Sequence, residues 1–456
     1  MSNSLHSLGE SKLTGWHLRA IIVAGIGFFT DAYDIFIINL AVPMMGYVYY
    51  TNNNNKIPKQ YEGPLKGATA FGTLIGQLLF GYLGDRLGRK KMYGSELIII
   101  IFATICCAIA GSWAKGVNVI AILGFWRFIL GIGIGGDYPV SAVITSEFAS
   151  TKRRGMMIAA VFASQGTGIL VGALFTVIML AIFQGAIRAD QNNFDYVWRL
   201  MLAFGCVPAI FTVYFRLTMP ESPRYTLEVN GDPEKAAEDL RGIMNVEDKD
   251  RVEAHHQIAK VERPQLTFTE HFGQWKNLKV LLGTSLSWFF LDIAFYGLSL
   301  NQSYVLQAIG YSSKGLSPYD AMWTEAIQLM GFAFLTIIFI ILSAGFYKIR
   351  DTAVALFVAL FTLAQFFFNF GPNTTTFVLP SEVFPTRFRS TAHGISAASG
   401  KLGANHRYFR LQSIEHAFLP QTLGIFAAIM FLGFLSTFWV PETKGKSLEE
   451  ISGEDS

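Results

Sequence analysis

Before residue 220 the chain holds six apolar runs long enough to cross a lipid bilayer, near 17–48, 65–84, 93–113, 118–146, 156–184 and 198–217. A helix needs about 20 apolar residues to traverse the hydrocarbon. Helices also satisfy their own backbone polar groups there. These runs confine the chain to an all-α integral membrane fold. Composition agrees: 52% of the 456 residues are hydrophobic, 15% are charged and 40 are Phe, whereas soluble proteins carry about 25% charged residues. A net charge of +3 offers no basic face to nucleic acid. Cys106, Cys107 and Cys206 lie inside apolar runs and read as small buried hydrophobes, not as a disulfide or metal framework. The polar start, MSNSLHSLGESKLTGWHLRA, lacks a small-residue cleavage site after its first apolar run, so no cleaved signal peptide is expected.

Basic residues set the orientation. Arg86, Arg89, Lys90 and Lys91 follow the second run, and Lys152, Arg153 and Arg154 follow the fourth; the opposite loops are more sparsely basic. This bias predicts a cytoplasmic N-terminus. Residues 218–277 are dense in charge and contain helix-start patterns such as DPEKAAEDLRGIM, which predict short surface helices. Five further apolar stretches follow, near 279–310, 324–347, 352–379, 389–404 and 420–440. The expected organisation is an N-terminal six-helix bundle (1–217), a cytoplasmic linker (218–277) and a C-terminal bundle (278–456), which is the plan of a two-bundle transporter.

Several residues carry more than packing. GYLGDRLGRKK contains Gly81, Asp85, Arg86, Gly88 and Arg89: glycines for a tight turn and charges to pair across helix ends. A plain positive-inside loop is the alternative. In WRFILGIGIGGDYPV, Gly131, Gly133 and Gly136 formally match a dinucleotide fingerprint, but no strand precedes them; small residues letting a neighbouring helix approach is the better account. Asp137 follows at membrane depth, where a carboxylate marks function by default. Its alternative is a structural ion pair, for instance with Arg127. Asp31 and Asp34 share one face of the first span, so mutual repulsion favours a bound proton on one of them; helix capping is the alternative. Trp288, Asp292 and Tyr296 recur every four residues on one stripe. Lys401 lies in a small-residue helix, either snorkelling or binding an anion. Asn373 opens a sequon whose apolar flanks keep it unmodified. No H-E-x-x-H, G-x-S-x-G or Walker pattern is present, and His255 and His256 fall in the charged linker, so neither enzyme chemistry nor a metal or other cofactor is expected.

The spacing of Gly81, Asp85, Arg86, Gly88 and Arg89 resembles the loop signature of the major facilitator superfamily. TDAYDIFIINL, GGDYPVSAVITSEFA, VFASQG, FNFGPNTTTFVLPSEVFPTRFRSTAHGISAASGK and PETKGKSLEEI together resemble its proton-coupled inorganic phosphate transporters, closest to the fungal high-affinity members. The resemblance implies proton-coupled uptake of phosphate across the plasma membrane by alternating access, with phosphate bound between the bundles. It implies a substrate site of Asp137, Tyr138, Gln165, Trp288, Asp292, Tyr296, Asn373 and Lys401. Asp31, Asp34 and Asp137 would form the proton path, and the 81–89 loop a gate. Physically, an anion beside ionised Asp137 and Asp292 is strongly repelled, so proton and phosphate binding are linked.

The chain departs from that family in two places. SPYDAMWTEA runs directly into IQLMGFAFLTIIF, so most of span eight and its basic loop are missing; after Lys401, GANHRYFRLQSIEHAFLPQ replaces the apolar continuation of span eleven. The expectation is an incomplete second bundle with about 11 spans instead of 12. Loss of one span should invert everything after it, placing PTRFRST and PETKGKSLEE outside, but the positive-inside preference of Arg387 and Arg389 opposes that, so some segment must fail to span or the chain misassembles. The alternatives to a working phosphate symporter are an organic-solute porter of the same superfamily, a phosphate receptor, and a transport-defective splice product.

Overall fold

The computed structural model describes residues 15–111, 118–243, 266–299, 316–331, 369–408 and 419–452. Among them the regular elements are all helical. Six long helices fill the N-terminal half: α1 (Gly15–Tyr49), α2 (Lys59–Leu87), α3 (Arg89–Ala108), α4 (Val119–Phe148), α5 (Arg154–Ala189) and α6 (Gln191–Leu217). They coincide with the six apolar runs. Two short helices follow in the charged region, α7 (Pro223–Glu228) and α8 (Pro233–Ile243), and then α9 (Phe268–Phe272). The remainder comprises α10 (Trp275–Ser299), α11 (Pro318–Gly331), α12 (Thr374–Val383), α13 (Arg389–Tyr408), α14 (Leu419–Thr437) and α15 (Leu448–Ser452).

Local chemistry sets the ends. The Asn118 side chain accepts from the Ile120 N–H to cap α4, and Ser222 caps α7 with Pro223 as its first residue. Thr267 and Glu270 form a reciprocal capping box on α9.

Packing of α2 on α4 is a small-residue seam. A Cβ at Gly72 or Gly76 would strike the Phe128 or Ile132 carbonyl, and one at Gly131 or Gly135 would strike the carbonyls of Thr69 or Thr73. Gly133 and Gly136 turn instead toward Ile100, Glu96 and Phe80. Close backbone approach is therefore what these glycines supply. Hydroxyls join the second half: Thr284 to Ser396 at 2.9 Å, Ser287 to Ser436 at 2.7 Å, and the Ser399 hydroxyl to the Ser285 carbonyl at 2.7 Å. Such bonds hold helices together where no hydrophobic drive separates protein from lipid.

The expected inversion is not observed. Arg389 meets Glu147, Arg154 meets both Glu382 and the Lys446 carbonyl, and Arg224 meets Glu449. The segments 385–389 and 442–452 thus lie on the same face as the 85–91 loop. Buried ion pairs fix that side, in agreement with positive-inside bias. The junction at 326–327 lies within α11, but residues 332–368, which bear on the number of crossings, lie outside the described residues. So do 409–418 of the altered span; α13 itself remains helical through Tyr408.

Candidate functional site

Five spans, α1, α4, α5, α10 and α13, and the shorter α12 converge on one aromatic cluster at the junction of the two halves. From α4, Tyr138 receives a hydrogen bond from Gln165 of α5 at 3.3 Å. From α10, Trp288, Asp292 and Tyr296 present one stripe, as their spacing requires. From α13, Lys401 Nζ donates to Asp292 Oδ2 at 2.8 Å and to the Tyr296 hydroxyl at 3.0 Å. The same ammonium lies 4.3 Å from the Tyr296 ring centre and 5.3 Å from that of Tyr138, within cation–π reach. Phe28, Phe162 and Phe377 close the cluster: Phe28 is 5.0 Å from Tyr138 and 4.9 Å from Phe377, and Phe162 is 5.0 Å from Phe377. Phe36 stacks on Tyr296. Tyr138, Trp288, Asp292, Tyr296, Asn373 and Lys401 are all 6% exposed or less. Asn373 sits where a π-turn, Asn369–Asn373, passes into α12. Six of the eight expected substrate residues, Tyr138, Gln165, Trp288, Asp292, Tyr296 and Lys401, thus meet at this junction, and Asn373 stands at the turn into the helix that carries Phe377.

Asp137 is the exception. Although it adjoins Tyr138 in sequence, it faces the other way. Arg216 of α6 donates to both its oxygens at 2.8 Å, and the Ser141 hydroxyl donates to Oδ1. Arg216 also donates to Glu96 Oε1 of α3 at 2.9 Å. Arg216, Asp137 and Glu96 are all fully buried. A Cβ at Gly27 would land on this ion pair, so α1 presses against it only because that position is glycine. The structural cation for Asp137 is Arg216. Arg127 instead donates to the Asp34 carbonyl at 3.1 Å.

The two first-span acids differ. Asp34 Oδ2 accepts from the Thr104 hydroxyl at 3.1 Å. Neither carboxyl oxygen of Asp31 has a hydrogen-bond partner, although the residue is fully buried. Asp31 lies within electrostatic reach of Asp137, Arg216, Asp34 and Glu96.

The 81–89 loop closes one end of the junction. Asp85 accepts from the backbone N–H of Ser390 at 3.1 Å and of Thr391 at 2.6 Å, capping the start of α13, where helix N-termini favour an acid. Arg89 contacts Asp85 at 3.1 Å, Glu147 at 3.2 Å and the Thr386 carbonyl at 2.5 Å. Gly88 adopts φ +101°, and Gly81 abuts the Ser390 carbonyl. Arg86 stays at the surface, over the Tyr82 ring. At the opposite end Arg188 pairs with Asp320 at 3.6 Å and lies over Tyr319.

Residues that motif reading missed are Arg216, Glu96, Glu147 and His393. The His393 ring lies edge-on to Trp288 at 5.6 Å and to Phe377 at 5.4 Å, with Nε2 3.2 Å from the Phe377 carbonyl. The available signal was a charge or imidazole within, or at the end of, a run made mostly of apolar residues.

The sequence matches the family described as sugar (and other) transporter over residues 20–314 and 325–454. It is 41% identical to the repressible high-affinity phosphate permease of Neurospora crassa, with 96% of this chain and 87% of that protein covered. It is 42% identical to the inorganic phosphate transporter PHO84 of Saccharomyces cerevisiae, with 98% and 86% covered. These alignments run over 501 and 513 positions, more than the 456 residues here, so the relatives carry segments without a counterpart in this chain. Among solved structures, the proton:xylose symporter XylE bound to 6-bromo-6-deoxy-D-glucose superposes with a TM-score of 0.71 at 22% identity, covering 96% of this chain and 98% of that one. Its inward-open form gives 0.62 at 22% identity, covering 95% and 99%. Both are likenesses of fold.

Proposed function

The chain belongs to the sugar (and other) transporter family of the major facilitator superfamily, on the branch of the inorganic phosphate transporters, and from that premise we propose that it carries inorganic phosphate with protons across the plasma membrane. It is a multi-pass membrane transporter, and its work is translocation, not bond chemistry. The observation that carries the proposal is the position of Lys401. Its ammonium is buried between Asp292, Tyr296 and the face of Tyr138 where the two halves meet.

In this arrangement Lys401 is neutralised by Asp292. A phosphate entering the junction competes for the same ammonium, and a proton on Asp292 releases it. Phosphate and proton then bind together, since each favours the other by the same factor. Tyr138, Gln165, Trp288, Tyr296 and Asn373 supply donors, and Phe28, Phe162 and Phe377 exclude water. Asp31 and Asp34 stand on the proton path. The bundles 1–217 and 278–456, joined by the 218–277 linker, rock about the site, with the Asp85–Arg89–Glu147 cluster parting as the cytoplasmic side opens.

Expression of the unmodified chain in cells lacking phosphate transport tests this. Labelled phosphate uptake that rises with an inward proton gradient and is competed by arsenate, but not by sugars, supports it. Accumulation of a sugar instead supports an organic-solute porter. Phosphate binding without accumulation indicates a receptor or a defective transporter.

A further inference from the structure

Three carboxyls, Asp31, Glu96 and Asp137, gather around the single guanidinium of Arg216, deep between α1, α3, α4 and α6. The guanidinium is occupied on one side by both oxygens of Asp137 and shares Nη1 with Glu96. Its plane rests over the Tyr93 ring at 4.5 Å. Bidentate Arg–carboxylate pairs are the strongest and most directional of charge-assisted bonds. Asp137 is therefore committed, whereas Asp31, one helical turn beyond Gly27 on α1, makes no hydrogen bond at all. A buried charge without partners costs far more than a neutral carboxyl.

We propose that Arg216 is a positioning residue for proton coupling: it holds Asp137 against α1 and away from Lys401, so that Asp31 is the first-span acid that carries the transported proton ahead of Asp292, and Asp137 is not a phosphate ligand. This rests on the phosphate–proton reading above. The mechanism is electrostatic. With Asp137 and Arg216 cancelling one another, Asp31 faces the residual charge of Glu96 and of Asp34, whose backbone carbonyl receives Arg127. Loss of the Asp31 proton adds a negative charge beside Arg216 and loosens its hold on Asp137. That change reaches α4, and through it Tyr138, while the proton is still on α1. The titratable and charged groups facing Arg216 and Asp31 are Asp31 and Asp34 from α1, Tyr93 and Glu96 from α3, and Arg127, Asp137 and Tyr138 from α4.

The test is transport by the full chain in proteoliposomes, assayed as phosphate/phosphate exchange at equal pH and as accumulation driven by a proton gradient. Arg216→Gln is expected to lower gradient-driven accumulation about tenfold or more while the KM for phosphate in exchange moves less than about threefold, and to shift the pH profile of exchange. Arg216→Lys should restore part of the accumulation, because a cation returns without the bidentate fork. Where Arg216→Gln fails to fold, the double variant Arg216→Gln/Asp137→Asn removes both charges and keeps a hydrogen-bonding pair; the same split is expected of it. A KM raised about tenfold or more in the double variant would make Asp137 a phosphate ligand and overturn the proposal. Accumulation equal to that of the parent would also overturn it, as would a parallel loss of exchange and accumulation with an unmoved pH profile. A parent chain that exchanges no phosphate overturns the functional reading itself, which these variant results leave standing.

Discussion

Glu147 on α4 and Arg389 at the start of α13 meet across the two halves at 3.1 Å, both fully buried, and the same Glu147 oxygen receives Arg89 at 3.2 Å. One carboxylate thus serves two cations from opposite sides of the junction. Parting the two halves at this end requires that this carboxylate lose one of them.

Glu147→Gln should favour the inward-open state. Breaking a buried pair by removing one partner costs about 3–5 kcal/mol, and here the cost falls on the closed form. The measurement is labelling of a cysteine placed at Ser390 by a membrane-impermeant thiol reagent in inside-out vesicles. Faster labelling than in the Glu147 parent is expected; an unchanged rate would mean the cluster does not hold the closure.

Lys401→Met should weaken phosphate binding about a hundredfold, in line with about 2–5 kcal/mol for truncating one partner of a buried hydrogen-bonded charge pair. Part of that loss is the stranded Asp292, so Lys401→Met/Asp292→Leu should be more thermostable than Lys401→Met alone. Isothermal binding and a thermal shift on purified protein check both; a double variant less stable than the single would contradict the pairing.

Asp31→Asn and Asp34→Asn should separate. The Asp31 carboxyl makes no hydrogen bond, so its amide replaces a group that nothing holds, and its loss of stability should be the smaller of the two. Asp34 accepts from Thr104 and presses on Gly205, so its replacement should cost more. Both are assayed by thermal unfolding, and gradient-driven uptake should fall furthest for Asp31→Asn.

His393→Ala should raise the KM for phosphate by removing the ring behind Trp288 and Phe377, with a stability loss of about 1–3 kcal/mol. His393→Phe keeps the aromatic edge and should recover most of the affinity. Equal losses in both variants would point to the imidazole nitrogens instead of the packing.

The docked tail should respond to acid and not to neutral pH. Burial alone would push Glu449 up, but Arg224 beside it, at 3.3 Å, holds its carboxyl below the ordinary value of 4.5. An acid lowered in the folded state contributes stability that is complete above its unfolded value and is lost as pH falls through the folded one. The hydrogen-exchange protection factors over residues 448–452, with the intrinsic pH dependence of amide exchange divided out, should therefore be flat from neutral pH down to about 5 and fall only below the unfolded value. Glu449→Gln should show the lower protection at every pH.

Much of this was legible in the sequence. Run length alone placed α1 to α6, and a spacing of four put Trp288, Asp292 and Tyr296 on one stripe. The resemblance supplied Lys401, which the structure seats on that stripe. What escaped was whatever depends on partners far along the chain. Asp137 and Arg216 are 79 residues apart, and Glu96 and Arg216 are 120 apart; a lone Arg near the end of α6 looks like a snorkelling cation. The expected inversion of the C-terminal half failed for the same reason. Counting spans ignores the ion pairs that hold 385–389 beside the 85–91 loop.

Across to α13, Asp85 grips the main-chain amides of Ser390 and Thr391. Substitution of Ser390 or Thr391 by other non-proline residues leaves those donors in place, so drift on the far half of the molecule has little purchase on this clasp. Its vulnerability is one-sided: changes at Asp85 itself, or a proline opposite it, are the ones that can undo it.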